Sequence, residues 1–540
     1  MAVMTGAQAF VQSLKHNGIH TLFGLPGVQL DYIFDALYHE RDAIRVINSR
    51  HEQGVAYMAY GYAESTGKPG AFLVVPGPGI LNTCTAICTA QASNTPVLAL
   101  TGQISRRSMG RGLGILHELS DQSAVFAPLT KGQILADHAS KVAPGMNQAI
   151  ALALSGRCGP VLFQVPDDVT TENADVSLGV RGARSPDPVP DQKAVEQAAQ
   201  WLGAANKPLI IAGGGAYGAE KELLALAEAL QAPLMMTRHG RGALSDRHYL
   251  AQTVIGGNLL WPEVDAVLAV GTRYLEGHAW GSDERMRTMR VEIDAMQAER
   301  PARADLTLIA GAGAALAAIK AALPSQVRAS RRTELEAVKQ AALNKIAVLE
   351  PQKSWSDAIR AGLPEEGIVV ADITQIGFYG WNGFPCYSPR SIIYPGYQDS
   401  LGYGYATSLG VKVAHPDRPV VAICGDGGFM FTMPEMASAV NHGINSIAIV
   451  FNDSGFGNVR RTQKLQFDGR YHGSDLKNPD FMELAKSFGI LGLRSGSPAE
   501  LTRHVTQAIA ANAPALIEVP VGAMPPWQPL LPRGRARGKV

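Results

Sequence analysis

Short apolar runs alternate along the whole chain with stretches whose apolar residues recur every three to four positions. Residues 6–18 carry the helical period. Apolar runs at 21–27, 71–75, 97–101 and 161–165 have the length and composition of strands, the first running into a loop and the last closing before Pro166. Residues 185–191 hold three prolines in seven positions, which resist both helix and ladder and so mark a linker. A second set of strands is expected at 208–212, 233–237, 266–270 and 290–294, ending near Ala322. A polar helical stretch at 328–350 leads to a third set, including 367–371, 420–424, 446–451 and 515–519. Short buried strands alternating with helices predict α/β architecture with three doubly wound parallel-sheet domains, at 1–180, 193–325 and 353–530. No strong internal repeat is evident.

The length of 540 residues agrees with about three domains, and 46% hydrophobic with 18% charged residues excludes disorder as the main state. Lys and Arg total 48 against 47 Asp and Glu. A net charge of +1 provides no field for a polyanion, so no nucleic-acid partner is expected. The basic residues from Arg533 to Lys539 read as a frayed, solvated terminus. Five cysteines are too few, and odd in number, for a disulfide framework. Cys84 and Cys88 have a metal-like spacing but no second pair, and buried thiols are expected there. The opening residues lack a basic region followed by an apolar one, and no run of about 18 apolar residues occurs. A cytoplasmic protein with no membrane partner is the expectation.

Two motifs invite chemistry. Gly213-Gly-Gly215-Ala-Tyr-Gly218 follows a strand and matches the dinucleotide fingerprint, but the acidic residue expected after the next strand is replaced by Thr237, Arg238 and His239. A Gly-rich turn in a structural Rossmann-like domain is the preferred reading, with a flavin beside it left open. The third domain is more specific. The strand at 420–424 runs into Gly425-Asp426-Gly427-Gly428, and the next strand ends in Asn452-Asp453-Ser454-Gly455-Phe456-Gly457. Carboxylates at the ends of successive strands, flanked by glycines that let backbone amides approach phosphate oxygens, favour a divalent cation with a diphosphate.

Gly425-Asp426-Gly427 followed by Asn452-Asp453, the aspartates 27 positions apart, resembles the thiamine-diphosphate signature. The segment Asn48-Ser-Arg-His51-Glu52 and its continuation to Gly61 resembles the stretch carrying the cofactor-activating glutamate. Pro76-Gly77-Pro78-Gly79 to Asn82 resembles the family's Gly-Pro-Gly turn. Thr101-Gly102-Gln103 and Thr130-Lys131 resemble the acetolactate synthase and benzaldehyde lyase branch of the pyruvate oxidase-like enzymes. The resemblance covers nearly the whole chain, in the order pyrimidine-binding, Rossmann-like middle and diphosphate-binding domain.

That resemblance implies roles. Glu52 meets N1′ of the aminopyrimidine; Pro78 and Asn82 lie near the cofactor. Asp426, Asp453 and the Gly455 carbonyl hold Mg²⁺, which bridges the diphosphate. Gly425, Gly427, Gly428, Phe456 and Gly457 line the diphosphate, and Ile373, Thr374 and Gln375 form a loop over it. Leu401 bends the cofactor, and the Asp399 backbone accepts from its 4′-amino group. Gln103 and His117 face the substrate, His117 relaying protons. The implied enzyme is a thiamine-diphosphate carboligase or lyase acting next to a carbonyl in 2-oxo acids, aldehydes or 2-hydroxy ketones, acetolactate synthase-like, because only a cofactor stabilises an acyl carbanion. The family also implies a homodimer or homotetramer with the active site between subunits. Two readings stay open: a simple 2-oxo-acid decarboxylase, and a flavin or nicotinamide oxidoreductase using the middle domain. The chain departs from the family at three places. Asp453 replaces the usual second asparagine. The residues Gly114-Ile-Leu116-His117-Glu118 stand where acetolactate synthases carry Phe-Gln and benzaldehyde lyases a glutamine. The FAD-contacting segments are poorly matched near Gly256-Gly257-Asn258.

Overall fold

The computed structural model describes residues 2–530 together with Gly534, Ala536 and Arg537. By residue contact the chain forms two compact units. The first comprises 1–185, 367–374 and 395–523; the second comprises 186–366, 375–394 and 524–540.

The first unit contains two parallel sheets. One has six strands in the order Arg45–Asn48, Thr21–Gly24, Gly70–Val74, Val97–Gln103, Val161–Pro166, Gly132–Leu135. In the other, the strands of this unit run Ile368–Ala371, Val420–Gly425, Ile447–Asn452, Ala515–Pro520, Leu491–Arg494. From the second strand onward the first sheet follows the same order, so one topology occurs twice without a matching sequence repeat. In the first sheet the chain's course reverses beside the earliest of these strands, Thr21–Gly24, and Ile368–Ala371 holds the equivalent place in the second. Ligands of open α/β sheets bind at such switch points, outside the carboxyl ends of the strands. The switch point of the first sheet lies at the ends of Thr21–Gly24 and Gly70–Val74, where Gly24 pairs with Leu73, and the equivalent point of the second at the ends of Ile368–Ala371 and Val420–Gly425, where Ala371 pairs with Ile423.

Two helices join these sheets within the unit. Helix Glu52–Thr66 is almost wholly buried along its length, as is helix Tyr403–Ala414. They meet backbone to backbone: a side chain at Gly61 would strike the Thr407 carbonyl, and one at Gly410 would strike the Met58 carbonyl. Tyr57 and Tyr60 each meet the edge of Tyr403, with ring centroids 5.7 and 5.8 Å apart. The Tyr57 hydroxyl lies 2.5 Å from Ser400 Oγ, and the Tyr60 hydroxyl 3.1 Å from Ser93 Oγ. Tyr57 and Tyr60 thus fill the seam while their hydroxyls find partners.

The second unit carries a six-stranded parallel sheet in the order Ala251–Gln252, Leu234–Met236, Pro208–Ala212, Ala266–Val270, Arg287–Glu292, Leu306–Ile309. Its helix Arg332–Ile346 falls in the expected polar connector, yet Leu335 is buried in this unit's core. The glycines of 213–215 pack against the neighbouring loop: the Gly213 amide donates to the Val270 carbonyl and the Gly215 amide to the Gly271 carbonyl, both 3.0 Å. Those donors are therefore turned away from any pyrophosphate. The helix that follows, Glu220–Leu230, opens with Glu220 and Glu222, charges that repel an anion at its N-terminus. The dinucleotide match is a packing device, and the oxidoreductase reading built on it is not favoured.

Two smaller expectations are corrected. Arg537 is buried, with Nε donating to Asp283 Oδ2 (2.8 Å) and Nη1 donating to the Val264 carbonyl, instead of fraying into solvent. Arg533, Arg535 and Lys539 lie outside the described residues. Cys84 and Cys88 are half-buried rather than buried, one turn apart on helix Cys84–Ser93, and partial burial raises both thiols. No described helix is long and apolar enough to cross a membrane.

The seam predicts how glycines here respond to substitution. Gly61→Val forces the two helices apart and should lower stability by about 1–3 kcal/mol, the usual range for overpacking. Gly313→Ala, on a helix where a new Cβ meets only ordinary van der Waals contact, should be neutral or stabilising. Thermal unfolding of both variants checks this; equal midpoints would remove the seam's packing constraint.

Candidate functional site

At the switch point of the first sheet, Glu52 is the opening residue of its helix, with the His51 Nδ1 accepting from the Gln53 amide at 3.1 Å as the cap. Asn82 Nδ2 donates to Glu52 Oε2 (3.0 Å). Asn82 ends the short helix Pro78–Leu81, which has proline at its first position, where the absent amide costs nothing. A Cβ at Gly79 would lie 3.7 Å from Glu52 Oε1, so the Gly-Pro-Gly turn passes close to the carboxylate. The Gly77 amide donates to the buried Gln122 Oε1 (3.0 Å), and Gln122 Nε2 donates to Gln164 Oε1 (2.9 Å). His117 crosses over this turn: its carbonyl and Cα lie 2.6 and 3.0 Å from where a Gly77 Cβ would stand. The His117 Nδ1 is 2.7 Å from Gln29 Oε1, and Gln29 Nε2 donates to the Leu116 carbonyl (3.1 Å). His117 also has a left-handed backbone, φ 65°, uncommon for a side chain of its size. Glu52, Pro78, Asn82 and His117 thus gather at one strand-end face. Gln103 is buried, and its Oε1 accepts from the Ile104 amide (2.8 Å), so that oxygen is turned onto its own backbone.

At the other switch point, Gly425 ends its strand and Asp426 opens helix Asp426–Thr432. Asp426 is buried, and its Oδ2 accepts from the Gly455 amide (3.2 Å) and from Asn478 Nδ2 (2.7 Å). Asn478 Nδ2 also donates to Asn452 Oδ1 (2.9 Å), and Asn452 Nδ2 donates to Glu518 Oε1 (2.8 Å). Arg494 completes the chain, donating to Glu518 Oε2 at 2.6 Å. The Asp453 carboxyl is pushed up to about 6, first by burial, then by the charge of Asp426 and a hydrogen bond with it. Gly457 lies against Asp453 so closely that any Cβ would strike Oδ2, and the Phe456 ring lies 2.7 Å from the position of a Gly427 Cβ.

Two converging carboxyls with no cation between them strain one another, and a hard divalent ion relieves that repulsion. Among the described residues no three His, Cys, Asp or Glu side chains gather as a metal site, so the two aspartates need further oxygens. A backbone carbonyl and diphosphate oxygens have the right chemistry, and the donor set fits Mg²⁺.

Leu401 stands beside this turn, its Cδ2 3.7 Å from the position of a Gly428 Cβ, and its carbonyl accepts from Gln53 Nε2 at 3.4 Å. Asp399 holds a left-handed backbone, φ 43°. Ile373 and Thr374 follow the strand end in this unit, and Thr374 Cγ2 lies 3.4 Å from where a Gly425 Cβ would stand. Gln375 opens helix Gln375–Gly383 and belongs to the second unit. The structure therefore brings Ile373, Thr374, Leu401, Gly425, Asp426, Gly427, Gly428, Asp453, Gly455, Phe456 and Gly457 to one place.

Three polar residues of this region escaped the motif reading. Asp372, fully buried, receives the amides of Ile373 (2.8 Å) and Gly404 (3.3 Å), and burial pushes its carboxyl up to about 6. It carries the same signal as Asp426, a carboxylate directly after a buried strand. Asn478 sits in an irregular loop with no local pattern. Glu435 interrupts an apolar stretch, and an unaccompanied charge in such a stretch is the cue that could have found it.

Three family descriptions match the chain: thiamine pyrophosphate enzyme N-terminal TPP binding domain at 4–125, central domain at 195–319, and C-terminal TPP binding domain at 372–519. The chain is 34% identical to a probable 2-ketoarginine decarboxylase of Pseudomonas aeruginosa, over 96% of this chain and 94% of that protein. It is 29% identical to a probable acetolactate synthase large subunit of Methanocaldococcus jannaschii (97% and 93% covered). It is 27% identical to the acetolactate synthase isozyme 1 large subunit of Escherichia coli (99% and 97% covered). The chain therefore belongs to the acetolactate synthase-like family of thiamine diphosphate-dependent enzymes.

Proposed function

We propose that this enzyme, with thiamine diphosphate and Mg²⁺, makes or breaks the carbon–carbon bond next to the carbonyl of a 2-oxo acid or 2-hydroxy ketone. The observation that carries the proposal is the pair of equivalent switch points, one presenting Glu52 with Asn82, the other presenting Asp426 with Asp453. Domains at 1–180, 193–325 and 353–530 then serve as pyrimidine, middle and diphosphate domains.

Bound thiamine diphosphate supplies the electron sink for the carbon left when CO₂ or an aldehyde departs, which no side chain can do. Glu52 holds the proton exchanged at N1′ of the aminopyrimidine, and Asn82 and Pro78 fix its approach. The Asp399 backbone would accept from the 4′-amino group, and Leu401 would pack against the cofactor. Asp426, Asp453 and the Gly455 carbonyl would bind Mg²⁺, while Gly425, Gly427, Gly428, Phe456, Gly457, Ile373 and Thr374 would enclose the diphosphate. His117 handles protons at the substrate hydroxyl, with Gln103 on the same strand-end face. The working assembly in this reading is a homodimer or homotetramer in which Glu52 of one copy serves the diphosphate half of another. The relative named for 2-ketoarginine gives weight to a second reading, decarboxylation that ends at the aldehyde. The middle domain's used amides give no support to FAD.

Pyruvate, glyoxylate, benzoylformate and 5-guanidino-2-oxopentanoate, each with and without added aldehyde, separate these readings. CO₂ release with a ligated product by mass spectrometry is expected for a carboligase, and CO₂ with only the aldehyde for a decarboxylase. No cofactor-dependent turnover of any 2-oxo acid or 2-hydroxy ketone would reject both.

Glu52→Gln should keep cofactor binding and lose turnover by about a hundred- to ten-thousandfold, the span of general acid–base contributions. Exchange of the cofactor's C2 proton, followed by NMR, should slow with it; an unchanged rate removes Glu52 from this role.

Asp426→Ala should abolish Mg²⁺-dependent retention of the cofactor through gel filtration. Asp453→Asn should be mild, because it relieves the repulsion with Asp426 and keeps an oxygen ligand. Equal loss of cofactor in both variants would contradict the metal assignment at the Asn452-Asp453 turn.

A further inference from the structure

Glu435 is 0% exposed, at the end of the turn Met433–Glu435 that leads into helix Met436–His442. Its Oε1 accepts from the backbone amides of Arg50 and His51, both 3.1 Å. Its Oε2 accepts from the Arg50 amide (3.2 Å) and the Ser438 hydroxyl (2.6 Å). Burial raises this carboxyl, and those donors oppose the rise. Gly54 lies against the carboxylate so closely that any Cβ there would strike it. At the far end of the same short helix, His442 Nε2 lies 3.1 Å from the Asn48 amide nitrogen, and Asn441 Nδ2 donates to Asn48 Oδ1 (3.1 Å). Arg45 Nη2 donates to the His442 carbonyl (3.0 Å). The segment from Arg45 to His51 is held along its length, and Glu52 is the next residue.

We propose that Glu435 is a positioning residue for Glu52, its two oxygens fixing the amides that open the Glu52 helix and so the direction in which the Glu52 carboxylate projects. The proposal rests on the reading of Glu52 as the residue that activates the cofactor. It follows from the order of the contacts. The amides of Arg50 and His51 precede the helix and have no intrahelical partner, so a buried acceptor decides where they sit. A displacement of about 1 Å at a reacting group can cost about a hundredfold in rate. Loss of Glu435 leaves the whole Asp426 turn in place, so diphosphate and cation binding have no reason to fall.

The experiment compares Glu435→Ala, Glu435→Gln and Glu52→Gln, all as holoenzymes, on the 2-oxo acid that the wild type turns over fastest. Glu435→Ala should lower kcat about ten- to a hundredfold. KM, and thiamine diphosphate affinity read by tryptophan fluorescence, should stay unchanged. Glu435→Gln should recover most of the loss, because the amide oxygen still accepts from both backbone amides and Ser438 can turn its hydroxyl. Hydrogen–deuterium exchange of the cofactor-free protein should be faster at residues 50–53 in the alanine variant only. Should that variant fail to fold, Glu435→Asp replaces it: one methylene shorter, it cannot reach both amides, and the same split is expected. Wild-type kcat in Glu435→Ala beside an inactive Glu52→Gln overturns the proposal. So does parallel loss of kcat and cofactor affinity without rescue by glutamine, which marks a merely structural residue. A fully active Glu52→Gln overturns the reading of Glu52 itself, and the proposal with it.

Discussion

The backbone contact between helix Glu52–Thr66 and helix Tyr403–Ala414 is the constraint on which the rest of the first unit depends. Gly61 over the Thr407 carbonyl and Gly410 over the Met58 carbonyl allow an approach that any side chain would prevent. One helix begins at Glu52, and the other follows directly on the loop that carries Asp399 and Leu401. Fixing the helices against each other therefore fixes two functional segments together, and the tyrosines along the seam make that relation rigid through packing and edge contacts.

Charge distribution follows from the same arrangement. Parallel strands deliver their carboxyl ends to one side, and this chain places Asp372, Asp426 and Asp453 at three neighbouring strand ends of one sheet. Asp372 is satisfied by backbone amides, whereas Asp426 and Asp453 press on each other. The first is held as structure requires; the other two are the pair proposed to hold a cation. The relay from Asn478 through Asn452 to Glu518 and Arg494 keeps Asp426 and the Asn452 turn oriented.

The inner strands were legible and the edges were not, for one physical reason. Strands with neighbours on both sides and helices on both faces read as unbroken apolar runs, as at Val420–Gly425 and Val97–Gln103. Edge strands such as Arg45–Asn48, Gly132–Leu135 and Leu491–Arg494 are half-exposed and mix polar residues into four positions, so no run marks them. The same logic divides the site. Asp426 and Glu52 sit in motifs of fixed spacing that carry the family resemblance. Glu435 and Asn478 act by holding backbone or another side chain, a task with no fixed sequence pattern. The glycines of 213–215 are the opposite case: the pattern for close approach to a phosphate is also the pattern for close approach to another loop, and the Val270 and Gly271 contacts agree with the structural turn preferred from the sequence.

The central claim is that two strand-end sites hold one thiamine diphosphate through a divalent cation. Calorimetric titration of thiamine diphosphate into dialysed protein, with Mg²⁺ and then with EDTA, tests it most directly. The account predicts binding that saturates with Mg²⁺ and disappears with EDTA. Binding of equal strength in both conditions, or none in either, would contradict it.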